Sequence, residues 1–307
     1  MARPNKIILL LVKILVSGGL LYAVISKTGI DKVLSTLKGI YVPSFLLAVL
    51  IYVCSIFIST LRWRLLLHER FGLARLFSLC FIGSFFNHLL PGIVGGDAVK
   101  AYYLYRDTGR GAPAVASVFM DRYIGFFALI LVGLTAFPFG FKYFRGSYIE
   151  WLLPFIALLF IAGSFVVFGL RVGRGIKFLS GFYDYFALYR GKKTVLVKAL
   201  LLSGIIQIMI IFAVYALSRG LGVNVPLLPL FIFVPVISTL SAIPISISGL
   251  GVREASFVLL YGFLGISPAQ ATAVSFAWFL SVATGSLPGL IEYLRYKKGT
   301  HENSIPQ

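Results

Sequence analysis

The feature that most constrains this chain is a succession of apolar runs, each about as long as a membrane-spanning helix, joined by short segments rich in lysine and arginine. Lipid offers the backbone no hydrogen-bond partner, so such runs must satisfy their own polar groups as helices. The spans expected are 7–26, 42–61, 113–138, 149–170, 197–218 and 268–294. Composition agrees: 59% of residues are hydrophobic and 12% charged, against about a quarter charged in a soluble domain. The expected fold class is all-α, a polytopic membrane protein of about six full transmembrane helices plus two re-entrant helical hairpins. It forms one membrane domain over 1–307.

The two hairpins come from apolar regions that are interrupted in the middle, 73–104 and 228–264. In the first, Asn87 lies near the end of an apolar half-helix, Pro91 and Gly92 break it, and Gly95-Gly96 turn the chain. Asp97 then has the chemistry of an N-cap for a helix over 98–105. In the second, Pro244 breaks the half-helix, Gly249 and Gly251 turn the chain, and Ser248 is the candidate cap. Superposing Pro91 on Pro244 brings Gly96 onto Gly249, Val99 onto Val252 and Lys100 onto Arg253, with nine residues from proline to cation in both. Each hairpin sits between two full spans, and the two open from opposite sides. This pattern predicts an inverted repeat, the first copy over about 42–138 and the second over about 197–294.

Charge sets the orientation. With the N-terminus inside, the inside segments hold 19 Lys and Arg and the outside segments 6. The bias requires both interrupted regions to leave on the side they entered. The formal net charge of +18 is therefore read as a topology signal and an affinity for anionic lipid surfaces, not as a nucleic-acid footprint. Residues 30–40 and 174–190 are amphipathic and expected to lie in the interface plane. The first run, 7–25, is long for a signal peptide and is read as a retained helix. Cys54 and Cys80 lie inside apolar runs, and His68, His88 and His301 share no ligand spacing. No metal or cofactor motif is expected, and no catalytic constellation.

A helix broken inside a membrane presents free N–H groups and partial positive charge at the N-terminus of its second half. Lys100 and Arg253 lie about one turn into those halves, and Arg122 sits inside a span. Together with Gly95, Gly96, Ser248 and Gly249 they are the candidate site for an anionic lipid head group. Asp97, Asp121 and Glu254 are the candidate structural or coupling charges, because an intramembrane charge needs a partner. Asp121 and Arg122 are adjacent on a helix and must look elsewhere, Arg122 to Asp97 and Asp121 to Lys100. The alternative is that these charges only lock their own hairpins. Arg62 and Arg64, flanking Trp63 at the end of a span, read as interfacial anchors.

Three motifs, Asn87-x3-Pro91-x3-Gly95-Gly96-Asp97, Ser117-x3-Asp121-Arg122 and Gly249-x-Gly251-Val252-Arg253-Glu254, resemble the lysylphosphatidylglycerol synthase transmembrane region, also called the flippase-like (UPF0104-type) family. The resemblance covers about residues 7–296. Lys100 departs from the arginine expected there, and the second hairpin carries fewer glycines than expected. The resemblance implies a membrane domain that translocates or binds an anionic phospholipid or polyprenyl-phosphate-type lipid. It also admits a non-transporting partner of a lipid-modifying enzyme or glycosyltransferase. In bifunctional relatives the synthase activity belongs to a separate soluble domain, and none is expected in this chain, so no enzyme activity is expected. The expected location is the cell membrane, multi-pass, with both termini cytoplasmic. A cysteine introduced at position 108 or 185 should therefore stay unlabelled by an impermeant maleimide added to intact cells; strong labelling would refute the topology.

Overall fold

The computed structural model describes residues 6–67, 71–89, 95–170, 183–189 and 191–302, and among these there is no β-strand. Helices α1 (Lys6–Thr28), α2 (Ile30–Lys38) and α3 (Val42–Leu66) lead into α4 (Leu73–Leu89) and α5 (Gly95–Thr108). Then come α6 (Gly111–Gly140) and α7 (Leu152–Ser164), the latter prolonged by a π-helical turn over Phe165–Gly169. After a basic connector follow α8 (Lys193–Gly220), α9 (Leu227–Ala242), α10 (Val252–Gly262), α11 (Pro268–Ser286) and α12 (Pro288–Glu302). Six helical stretches are long and apolar enough to cross a membrane: Leu11–Thr28, Val42–Leu66, Gly111–Tyr143, Leu152–Gly169, Lys193–Gly220 and Pro268–Arg295. These are the six spans the sequence predicts, and the protein is an all-α, multi-pass membrane protein.

The two interrupted regions form helical pairs whose arms are short. At 1.5 Å per residue the arms of α4–α5 and α9–α10 measure about 17–26 Å, below the roughly 30 Å of a hydrocarbon core. Arg75, in the first turn of α4, binds Asp107, in the last turn of α5, at 2.9 Å, so α4 and α5 run antiparallel and return to one end. The second pair does likewise. Tyr261, in the last turn of α10, lies 3.1 Å from Ser218, in the last turn of α8, from which the hairpin set out. The break after α9 falls at Ala242, two residues before Pro244. Pro91 and the first turn around it lie outside the described residues.

The spans interlock with opposite sense. At one end Tyr41 N–H donates to Gly220 O at 2.8 Å; at the other, Leu66 packs beside Ala199. Helices α3 and α8 are therefore antiparallel partners. The arm α4 packs on α12, and α9 packs on α6. One apolar core gathers around α9–α10 with the later halves of α6 and α8 and the start of α11. A second surrounds α4–α5 with the later half of α3 and the start of α6. The amphipathic helix α2 buries Val33 in the first of these cores. Of the other amphipathic segment only 183–189 are described. There Tyr185 and Tyr189 are buried, and both hydroxyls donate to Leu66 O, Tyr185 at 2.7 Å. Burial and the neighbouring Tyr185 push the Tyr189 phenol well above its ordinary range. Because Tyr185 is buried, position 108 is the more informative of the two labelling sites.

Close backbone approach depends on two glycines. A Cβ built on Gly96 would lie 1.7 Å from the Gly83 carbonyl oxygen, and one on Gly289 would lie 2.1 Å from the Phe81 carbonyl oxygen. A backbone atom cannot move aside as a flexible side chain can. Gly96→Ala and Gly289→Ala are each expected to cost at least about 1–3 kcal/mol as overpacked contacts, read as a lower unfolding temperature in detergent. Gly18→Ala, with nothing within 4 Å of its Cβ, should be neutral or slightly stabilising.

Candidate functional site

Charged residues inside membrane spans need partners, and here they find them in two groups. The first joins α3, α5, α6 and α8. Arg62 Nε donates to Asp121 Oδ1 at 2.8 Å, and Arg62 Nη1 donates to Ser203 Oγ at 2.9 Å. Lys100 Nζ approaches Asp121 Oδ2 at 3.6 Å and lies 4.3 Å from the centroid of the Trp63 ring. Trp63 in turn donates from Nε1 to Ser117 Oγ at 3.4 Å. All these side chains are buried. Beside them Arg122 clamps Asp97, Nε donating to Oδ2 at 2.5 Å and Nη2 to Oδ1 at 3.0 Å. The pairings expected from sequence, Arg122 with Asp97 and Asp121 with Lys100, are both present. Asp121, however, has a second and closer cation in Arg62.

Exposure separates these cations. The Arg62 and Lys100 side chains are 7% and 8% exposed, whereas Arg122 is 52% exposed. Arg122 shares its stripe of α6 with the exposed apolar residues Val115 and Phe119. Its third nitrogen, Nη1, donates to none of the described residues. Three cations face two carboxylates, which leaves one positive charge in excess, and Arg122 is the cation with a free face.

The second group belongs to α10 and α11. Arg253 donates to Glu254 Oε1 from Nη2 at 2.6 Å and from Nε at 3.1 Å, and also to Ser275 Oγ at 3.1 Å. Its guanidinium lies 4.8 Å from the centroid of Phe279. Glu254 is fully buried; its Oε1 also accepts from Ser275 Oγ, and its Oε2 from Gly251 N–H at 2.7 Å. The hairpins touch: Ser248 Oγ donates to the Asn87 carbonyl at 3.3 Å.

Three sequence expectations are corrected. Asp97 is not the cap of α5, which already begins at Gly95. Asn87 Oδ1 accepts the Gly96 N–H at 2.9 Å instead, freeing Asp97 for Arg122. Ser248 is not the cap of α10. Gly251 occupies that position with φ +83°, and Glu254 takes its N–H, while Ser248 adopts φ +50° in the turn. Arg62 is not an interfacial anchor but a buried partner of Asp121. The apolar run it interrupts continues through Leu65 and Leu66, a signal that the helix carries it inward. Arg253 and Glu254, though adjacent, pair with each other because both lie in the first turn of α10. Sequence reasoning missed Ser203 and Ser275 as partners, because each is one hydroxyl among several in an apolar helix.

Fold and charge pattern together define a polytopic α-helical membrane protein with paired internal hairpins and cations held inside its spans. The match to known proteins is specific: the chain belongs to the lysylphosphatidylglycerol synthase transmembrane-region family, whose model covers residues 10–289. It is 26% identical to a UPF0104 membrane protein of Methanothermobacter thermautotrophicus, over 78% of this chain and 79% of that one. It is 22% identical to a UPF0104 membrane protein of Methanocaldococcus jannaschii, over 85% and 87%.

Asp121 is the group on which the first cluster depends. Asp121→Asn would leave Arg62 and Lys100 buried without a counter-charge, a loss of about 3–5 kcal/mol. Combining it with Arg62→Met should cost clearly less than the two single changes added, because they share one interaction. Thermal unfolding in detergent measures this, and strict additivity would refute the coupling.

Proposed function

We propose that this chain binds the phosphate of an anionic membrane lipid at Arg122 and carries that head group between leaflets. The observation that carries the reading is the half-exposed side chain of Arg122, set in an apolar stripe with one guanidinium edge held by Asp97 and Nη1 uncommitted among the described residues. A fixed guanidinium edge suits a phosphate oxygen, and the flanking Val115 and Phe119 suit the lipid chains. An anionic phospholipid and a polyprenyl-phosphate-type lipid share this chemistry.

In this reading Lys100 and Arg253 act from inside the protein. Each reaches from its hairpin to the following span, Lys100 to Asp121 and Arg253 to Ser275, and so fixes the hairpin tips, with Gly95, Gly96, Ser248 and Gly249, near the head group. We take the α4–α5 and α9–α10 pairs as re-entrant, and the two halves of the chain as inverted repeats. The antiparallel α3 and α8, and the matched packing of α4 on α12 and α9 on α6, support this. Rocking of one half against the other would expose Arg122 to each leaflet in turn. The charge bias supports a cell-membrane location with both termini cytoplasmic. It survives the burial of Arg62 and Lys100, which both came from the inside count.

The test uses the full chain in proteoliposomes and a fluorescent phosphatidylglycerol quenched from outside by dithionite, with a phosphatidylcholine analogue in parallel and a polyprenyl phosphate as competitor. Losing a charge-assisted hydrogen bond of about 1.5–3 kcal/mol should slow anionic-lipid movement about 10- to 100-fold in Arg122→Gln. Arg122→Lys should slow it less. Equal rates for the two head groups, or an unchanged rate in Arg122→Gln, would overturn the proposal. Binding that persists without movement would instead favour a non-transporting partner of a lipid-modifying enzyme or glycosyltransferase.

A further inference from the structure

Buried hydroxyls on the helices of this protein share a habit. Thr60, Ser117, Ser203, Ser218 and Ser256 each donate to a carbonyl three or four residues back, at 2.7–2.9 Å. Three hydroxyls depart from it: Ser241, Ser246 and Thr272 have shielded oxygens with no hydrogen-bond partner among the described residues. Thr272 lies on α11. Ser241 and Ser246 belong to one short stretch, the end of α9 and the turn after it, and Ser246 is only 2% exposed. An unsatisfied buried hydroxyl destabilises the fold, so two at one helix break call for a ligand.

The same break leaves carbonyl oxygens unpaired. Past the end of α9, Ile243 N–H reaches Leu240 O at 3.2 Å and Ile245 N–H reaches Ile243 O at 2.8 Å. The Ser241 and Ala242 carbonyls therefore receive no backbone N–H among the described residues, and they stand at the negative end of the α9 dipole. The nearby charges cancel. Arg253 is paired with Glu254, and both carboxylate oxygens of Glu254 are occupied by Arg253, Ser275 and Gly251 N–H.

We infer that this turn binds a monovalent metal cation, Na+ in its chemistry, with Ser241 Oγ, Ser246 Oγ and the carbonyls at the end of α9 as the available oxygen donors. Neutral hydroxyl and carbonyl oxygens at the C-terminal end of a broken membrane helix are a donor set that Na+ accepts. Calcium and magnesium call for carboxylates, and the carboxylate found at this turn among the described residues, Glu254, is already committed. The inference goes beyond the lipid reading and does not depend on it. It bears on that reading through Ser248, in the same turn, whose hydroxyl holds the Asn87 carbonyl of the other hairpin. Filling the site would stiffen the point where the two hairpins meet.

The experiment follows thermal unfolding of the full chain in detergent while NaCl, KCl or choline chloride is raised at constant ionic strength. Na+ should raise the unfolding temperature saturably, as a ligand of the folded state does, K+ less, and choline not at all. Ser241→Ala and Ser246→Ala each remove an orphaned hydroxyl, so in choline both should be at least as stable as the parent. Both should lose the Na+-specific increment. Identical curves in the three salts would overturn the site, as would an increment that survives in the double variant. Equal destabilisation of the variants in every salt would also overturn it, because that is the signature of a bound water. Should an alanine variant fail to fold, equilibrium binding of radioactive sodium to the parent decides: one saturable ion per chain supports the site and none refutes it.

Discussion

Asp121 is a buried carboxylate inside a membrane span, and the arrangement of its neighbours follows from that constraint. A lone carboxylate there would be intolerable, so α3 supplies Arg62 and the first hairpin supplies Lys100. Arg62 in turn reaches α8 through Ser203. One acidic side chain thus ties four helices, three from the first half of the chain and α8 from the second, at a place where apolar packing alone gives little directional preference because lipid is as apolar as the core. Trp63, under the Lys100 ammonium, completes the enclosure.

The second hairpin solves the same problem with other parts. Its cation, Arg253, is satisfied within α10 by Glu254 and steadied by Ser275 and Phe279 on α11. The first hairpin borrows its counter-charge from a span; the second carries its own. That asymmetry leaves the excess positive charge on the first hairpin's side, where Arg122 combines a tethered edge with an exposed one. It also leaves the turn of the second hairpin without net charge, so that its neutral oxygens rather than its ionic groups are what it offers a ligand.

Close approach is the other requirement. Gly96 against Gly83 and Gly289 against Phe81 let backbones meet where no Cβ fits, which closes the two arms of the first hairpin on each other and seats it on α12. Without those contacts the ion pairs could not reach one another, because Lys100 and Asp97 ride on the same helix that Gly96 positions.

Much of this was legible in the sequence because hydropathy and charge are local properties. Twenty apolar residues in lipid have one backbone solution, so the six spans follow from run length, and proline and glycine inside apolar runs mark the two short pairs. The pairings of Arg122 with Asp97 and Lys100 with Asp121 could also be anticipated, since an intramembrane charge must have a partner and few candidates exist. Tertiary structure decided the rest. Arg62 looks like any arginine near a helix end until α6 brings Asp121 beside it. Asp97 and Ser248 have the chemistry of caps, yet Asn87 and Glu254 do the capping, because the fold places their oxygens nearer the free N–H groups. Which cation is exposed depends on the surface left uncovered when ten or more helical segments pack, and no residue's neighbours in sequence record it: that exposure, together with the orphaned hydroxyls of Ser241 and Ser246, exists only once residues far apart in the chain have closed around them.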